Sequence, residues 1–261
     1  MPIVLVGTDL TDRSRPAIAR GAELVQASGG RLIICHAAPK TLPVNPLFPH
    51  QTGEKIAATA GIEQRIIEAV TRQVVDATGF SAFDVIVDTG EAPDVICSQA
   101  KRLQADLVIV TADRPGVGAV ARDLAASPCS VLVLGTSTGD AVAIVTLESE
   151  VESVGPLAEA VRLVLLRPVS KFVVIMWTDS DDQKAPLLAE LARTSRLVGV
   201  PFEPWFADLT ETSVLARAAN DPEIGLVALT APEPDSIVGR SAGPLDDGFE
   251  GATASFLLLR R

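Results

Sequence analysis

The sequence predicts two α/β domains in tandem, each an open parallel sheet with helices on both faces. Three observations carry that expectation. Strand-length runs such as Leu107 to Thr111 (LVIVT) and Val131 to Leu134 (VLVL) are apolar throughout rather than alternating, as strands covered on both faces are. These runs alternate with amphipathic helical stretches, the pattern of βαβ units. The second half of the chain also repeats the first. Gly79, Asp88 and Glu91 recur as Gly199, Asp208 and Glu211 at a common offset of 120, and LVIVTAD from Leu107 recurs as LVALTAP from Leu226 at 119. The second strand, LIICHA, aligns with FVVIMW at 140, and the first aligns with AVAIVTL at 138. The offset falls after strand two because copy two lacks a proline-rich insertion. Residues 1–139 and 140–261 are therefore read as the two copies.

Taken in order, Ile3 to Thr8 is a short strand running into Asp9. Thr11 or Asp12 caps the next helix and Pro16 is tolerated in its first turn. Ala17, Ile18, Ala22, Leu24 and Val25 make that helix's apolar face, and Gly29-Gly30 ends it. Leu32 to Ala38 is a strand. The stretch PKTLPVNPLFPHQTG follows, and its four prolines forbid regular structure. A helix is expected over Glu54 to Thr78 with Ile56, Ile66, Ile67, Val70 and Val74 inward, then a strand at Asp84 to Val87, a helix at Ala92 to Leu103 and a strand at Leu107 to Thr111. A glycine-containing loop, a short helix and a Ser-Pro-Cys turn lead to Val131, and TSTGD is read as a linker. Copy two is expected to place strands at Ala143 to Thr146, Phe172 to Trp177, Phe202 to Ala207, Leu226 to Thr230 and Phe256 to Leu259. Its helices are expected at Val151 to Leu166, Leu187 to Val198 and Thr212 to Asn220.

Composition narrows the function classes. The net charge of −11 is uneven: residues 1–139 hold 12 Lys+Arg against 14 Asp+Glu, and residues 140–261 hold 10 against 19. Nucleic-acid binding calls for a basic surface, and none is visible; anionic membrane surfaces are disfavoured on the same ground. No apolar run is long enough to span a bilayer. MPIVLVGTDLTD lacks a basic leader, so a cytoplasmic protein is expected. Cys35, Cys97 and Cys129 are far apart in apolar segments and read as buried thiols.

The order of elements, with IVLVGTDLTDRSRPAIARGAELV at the start, CHAAP ending strand two, DTGEAPDVICSQAKRLQADLVIV, and SPCSVLVL closing the first copy, resembles the universal stress protein family, here as a tandem pair. The resemblance covers residues 1–135 and, more weakly, 140–261. It implies a five-stranded, Rossmann-like parallel sheet in each copy. It also implies dimerisation through last strands. Val131–Leu134 would then pair with Phe256–Leu259 inside one chain, making an intrachain pseudo-dimer, and a homodimer through last strands is a further expectation. A bare apolar edge strand must in any case be covered.

Many members of that family bind ATP, with an Asp at the end of strand one and backbone at the end of strand two on the adenine side. Asp9, beside Thr8, matches the first position and Ala37 the second. The phosphates of such members lie on a loop G-x2-G-x9-G-[ST] after strand four. Here Thr111 stands where the first glycine belongs, and only TADRPGV separates that strand from Gly118. The nine-residue arm is missing, and with it most of the backbone donors that glycines expose to phosphate. The helix start near Gly118 still offers some, and Arg114 is the best-placed side chain to meet an anion. Copy two has Leu147 for the Asp and Pro232, Glu233, Pro234 and Asp235 in the loop, so it is expected to bind no nucleotide. Copy one is expected to take ATP or AMP weakly, or only the adenosine part. The resulting site comprises Thr8, Asp9, Ala37, Thr111, Arg114, Gly116 and Gly118.

Other features have plainer readings. Asp9 suits two roles, a ligand contact or a cap for the following turn. Gly116-Val-Gly118-Ala-Val-Ala121 matches a dinucleotide fingerprint in form but lies too late in the domain, so it reads as a glycine pair at a helix start. His36 reads as a core histidine, since no nucleophile or orienting acid accompanies it, and His50 lies in the proline-rich insertion. Asp179, Asp181 and Asp182 read as a solvated helix start rather than a metal cluster, and Trp177 and Trp205 as packing. No catalytic residue and no metal site is expected. The chain is expected to be a non-enzymatic stress-response protein acting through protein contacts. An adenine-nucleotide switch in copy one, with slow or no hydrolysis, is the alternative, and a regulatory unit docking on a transporter or kinase is a third.

Overall fold

The structure is a computed structural model that describes residues 1–39, 52–112, 120, 124, 127–147, 154–177, 181–207, 213–230 and 252–259. It divides into two compact units: Met1–Thr111 with Ser127–Cys129, and Ala112–Ala126 with Ser130–Arg261. This division differs from the repeat boundary at 139/140. The strand Ser130–Leu134 closes the first sequence copy, yet it goes with the second unit because of what it pairs with.

In unit 1, β1 (Ile3–Thr8), β2 (Arg31–Ala38), β3 (Phe83–Thr89) and β4 (Leu107–Thr111) lie in the order β3-β2-β1-β4, and all their pairings are parallel. Leu5, Val6, Leu32, Ile33, Ile34, Val108 and Ile109 are completely shielded from solvent, which is why these strands carry no polar alternation. Each such side chain contributes roughly 1.5–3 kcal/mol of transfer free energy. Among the described residues three helices cover this sheet: α1 (Arg15–Ser28), α2 (Thr52–Thr78) and α3 (Ala92–Leu103). α1 starts where the sequence indicates. Thr11 caps a one-turn 3-10 helix at Asp12–Ser14, Pro16 falls in the first turn of α1, and Gly29 ends it in the left-handed region at φ 66°. Val70 and Val74 of α2 are fully buried.

Unit 2 has the order β5-β10-β9-β6-β7-β8, with β5 (Ser130–Leu134), β6 (Ala141–Leu147), β7 (Phe172–Trp177), β8 (Phe202–Ala207), β9 (Ile224–Thr230) and β10 (Ser255–Leu259). The run β8-β7-β6-β9 repeats β3-β2-β1-β4, so the two sequence copies share one topology. β10 lies between β9, to which it is parallel, and β5, to which it is antiparallel through Phe256↔Val133, Leu257↔Leu132 and Leu258↔Val131. The pairing of 131–134 with 256–259 is therefore present, and both edges of β10 are occupied by strands of its own chain. The helices are α4 (Val154–Leu165), α5 (Asp181–Val198) and α6 (Ser213–Asn220). α5 starts six residues earlier than the sequence suggests and includes Pro186. As the sixth residue of the helix this proline forgoes one intrahelical bond, the one its position would donate to the Asp182 carbonyl. Asp181 and Asp182 belong to its first turn.

The segment after β5 is tied down. The backbone N–H groups of Thr136 and Ser137 both donate to the Thr253 carbonyl, and the Ser137 hydroxyl donates to the Ile224 carbonyl at 3.0 Å. A Cβ on Gly225 would stand 2.0 Å from the Gly139 carbonyl oxygen, and one on Gly139 would stand 2.3 Å from that of Glu223. Residues 136–140 are a strap on unit 2, not the loose linker their composition suggests, because paired glycines let two backbones touch. Gly225→Ala is expected to cost about 1–3 kcal/mol, the usual penalty of forcing atoms into packed space, measured as a fall in denaturant midpoint. An unchanged midpoint would show that the strap yields.

Candidate functional site

Parallel strands deliver all their carboxyl ends to one edge, and ligands of open α/β sheets lie there, at the point where the strand order reverses. In unit 1 that point falls between β1 and β4, which brings Thr8 and Asp9 to one side and Thr111 to the other. Ala37 lies on the neighbouring strand, one residue beyond the Thr8↔His36 pair. Four of the seven expected site residues are thus at one edge. Arg114, Gly116 and Gly118 lie outside the described residues, as do His50, Asp179 and the loop from Pro232 to Asp235; the side chains of Leu147 and Trp177 do too.

Asp9 is engaged within its own turn. Its carboxylate accepts the backbone N–H of Thr11 at 2.9 Å and the Thr11 hydroxyl at 2.8 Å, and the Ser14 hydroxyl donates to it at 2.5 Å. Its own N–H donates back to Ser14 Oγ at 3.1 Å. Partial burial pushes the Asp9 carboxyl up, but the hydrogen bonds from Ser14 and Thr11 together outweigh it and hold the group below the usual carboxylate range. Of the two roles open to Asp9, the structure shows the capping one. Between these anchors Leu10 sits in the left-handed region at φ 66°, a conformation rare for a residue with a side chain. Its N–H is held by Thr8 Oγ1 at 3.1 Å.

A residue the sequence reading passed over completes the turn. Gln73 of α2 accepts the Thr8 hydroxyl at 2.8 Å and donates its amide to the Thr11 carbonyl at 2.6 Å, so one carboxamide clamps both ends of the turn. The Thr11 carbonyl accepts only, which fixes which way the amide points. The available signal was position: Gln73 adjoins the buried stripe of Val70 and Val74, where a polar side chain needs a partner.

His36 is half-buried, and its Nδ1 lies 2.9 Å from the Thr8 carbonyl. That oxygen can only accept, so Nδ1 carries the proton. The ring braces β2 against the end of β1, and among the described residues it has no nucleophile as a hydrogen-bond partner. Cys35, one residue earlier, is buried, and its thiol is pushed up to about 12, first by burial and then by the nearby Asp88 carboxylate, against the opposing pull of Arg102. A thiol so raised stays protonated and unreactive. Asp88 in turn accepts Gln99 Nε2 at 2.7 Å and the Thr89 N–H at 2.7 Å, while Gln99 accepts Arg102 Nε at 2.8 Å. The three cysteines form no disulfide. Trp205 packs its ring 4.3 Å from the Arg217 guanidinium and donates its indole N–H to Glu203.

An open recess of about 490 Å³ lies elsewhere, lined by Thr138, Gly139, Asp140, Ser170, Pro222 and Glu223. It sits where β6, β7 and β9 begin, the edge opposite to the one ligands of such sheets use. It is the gap beside the 136–140 strap.

Two outcomes follow for the turn. Asp9→Ala should cost about 1 kcal/mol, the loss of a cap. Because the folded carboxyl lies below its ordinary value, its stabilisation is complete above that value and fades as pH falls through the folded one. The acid limb of a pH–stability curve should therefore flatten in the variant; an identical limb would contradict the capping role. Gln73→Leu should cost about 1–2 kcal/mol for two hydrogen bonds and speed amide exchange at Leu10 and Thr11. Unchanged exchange there would mean the clamp does not hold the turn.

Comparison with known proteins agrees with this architecture. The sequence profile of the universal stress protein family matches residues 1–135. No curated protein matches the chain. Among solved structures, the chain is similar to a universal stress protein from Archaeoglobus fulgidus at 12% identity and a TM-score of 0.66, covering 99% of this chain and 96% of that one. It is similar to a functionally unknown protein from Pseudomonas aeruginosa at 14% identity and a TM-score of 0.59, covering 100% and 92%. A universal stress protein in complex with cAMP is 27% identical over 52% of this chain and 98% of that one, with a TM-score of 0.37. With its parallel sheet, its strand order and a profile match over half its length, the chain belongs to the universal stress protein family.

Proposed function

We propose that this chain is a cytoplasmic stress-response protein that works as a non-enzymatic regulatory or interaction module, with a nucleotide site in the first copy reduced to its nucleoside part. The observation that carries this reading is the state of Asp9. Its Oδ1 accepts from Thr11 and Ser14 within the turn, while Oδ2 of this exposed residue meets only the Thr11 hydroxyl, so a ligand finds one carboxylate oxygen rather than two. Thr111 at the end of β4 supports the same reading, because a side chain there keeps phosphate from the backbone donors a glycine would expose. The non-enzymatic part rests on His36, whose ring proton goes to a main-chain carbonyl, and on Cys35, whose thiol is held protonated. Among the described residues no helix is long and apolar enough to cross a membrane, which is compatible with a cytoplasmic location.

A second reading has its own support. Asp9 and Thr111 follow or end the two strands at the switch point, β1 and β4, and Ala37 lies at the same edge one strand away on β2, where an adenine nucleotide would act as a switch ligand. Thermal melts with ATP, AMP and adenosine separate the two, with Asp9→Ala alongside and each shift referred to that protein's own ligand-free melt. A ligand at about 100 times its dissociation constant adds roughly 2.7 kcal/mol. A shift with adenosine but none beyond it with ATP is expected. An ATP shift of that size, larger than adenosine's and lost in Asp9→Ala, would replace the module reading with the switch.

A further inference from the structure

Among the described residues three that are not glycine have a positive φ: Leu10, Gln104 and Leu166. Gln104 and Leu166 directly follow α3 and α4, where the left-handed conformation is a common helix stop. Leu10 follows no helix. It stands next to Asp9 at the carboxyl edge of the unit 1 sheet, with φ at 66°. A glycine adopts this conformation freely, whereas a leucine is pushed back toward ordinary backbone by its own Cβ. The turn is therefore closed only as long as its neighbours hold it closed, and such outliers gather at ligand clamps and switch regions.

Two parts of the molecule do the holding. Within the turn, the Leu10 N–H donates to Thr8 Oγ1 at 3.1 Å, and Asp9 Oδ1 gathers Thr11 and Ser14. From α2, Gln73 accepts the Thr8 hydroxyl at 2.8 Å and donates to the Thr11 carbonyl at 2.6 Å. Because the Thr8 proton goes to Gln73, the lone pairs of that hydroxyl are left for the Leu10 N–H, and α2 reaches Leu10 through a relay of two bonds. On the exposed side, Asp9 Oδ2 meets only the Thr11 hydroxyl. A turn with two arrangements, biased by a ligand from one side and by a helix from the other, couples the two. On the reading of this edge as a nucleoside site, we propose that Gln73 is a positioning residue. It keeps the turn in the left-handed form that a ligand on Asp9 requires, so occupancy of the site and the seating of α2 favour one another.

Isothermal titration of the full chain with adenosine tests this in wild type, Gln73→Leu, Leu10→Gly and the two substitutions together. A turn closed only about a tenth of the time lowers apparent affinity about tenfold, the loss expected of Gln73→Leu. Glycine needs no clamp to enter the left-handed region, so the double variant is expected to recover most of that loss. A side chain that merely supports the fold, or that touches the ligand itself, is not rescued from position 10. Should Gln73→Leu unsettle α2, Gln73→Glu carries the same comparison, since it keeps the acceptor for Thr8 and loses the donor to Thr11. Undiminished binding in the Gln73 variant, or a loss that Leu10→Gly leaves in place, overturns the coupling and spares the site. A wild type that takes up no adenosine removes the site and the coupling together.

Discussion

A parallel strand covered on both faces has room for polar side chains only at its ends. Nearly everything chemical about unit 1 follows from that restriction. The middles of β1, β2 and β4 are spent on aliphatic side chains with no exposure at all, so hydroxyls, carboxylates and the imidazole collect at the carboxyl edge. There the backbone leaves the sheet and its N–H and C=O groups lose their ladder partners. They must be satisfied locally, because an unmet buried polar group costs as much as several good contacts provide. Thr8, Asp9, Ser14 and Gln73 meet that demand among themselves.

This local accounting leaves most polar groups of the turn partnered within the chain. A carboxylate that is already the acceptor for a turn is pre-organised, and its low proton affinity keeps it charged near neutrality. The Oδ1 of Asp9 is taken up by Thr11 and Ser14, and its Oδ2 meets the Thr11 hydroxyl alone.

The fold was legible because its strongest signals are local. Apolar runs without alternation, caps such as Thr11, stops such as Gly29 and the fixed offsets of the repeat are all written within a few residues of the elements they define. What was not legible depends on distance. Gln73 lies far along the chain from the turn it clamps, and nothing near it names Thr8 or Thr11 as its partners. Pro186 hid the start of α5 because an interior proline argues against a helix. The strap at 136–140 looked like a linker because Gly139 and Gly225 show their purpose only once two backbones are brought together. The part of Asp9 in its own turn became plain only from the positions of Thr11 and Ser14.

The antiparallel pairing of β5 with β10 has a consequence for how the chain reaches its final form. The bond from the Gly135 N–H to Ser255 Oγ spans 120 residues. β5 leaves the ribosome long before its partner exists and must wait as an apolar strand with one edge bare. Closing so large a loop is slow, and bare edges are where chains pair wrongly. The intervening β6–β9 segment is complete before β10 is made, so β10 can slide into a slot with both walls ready.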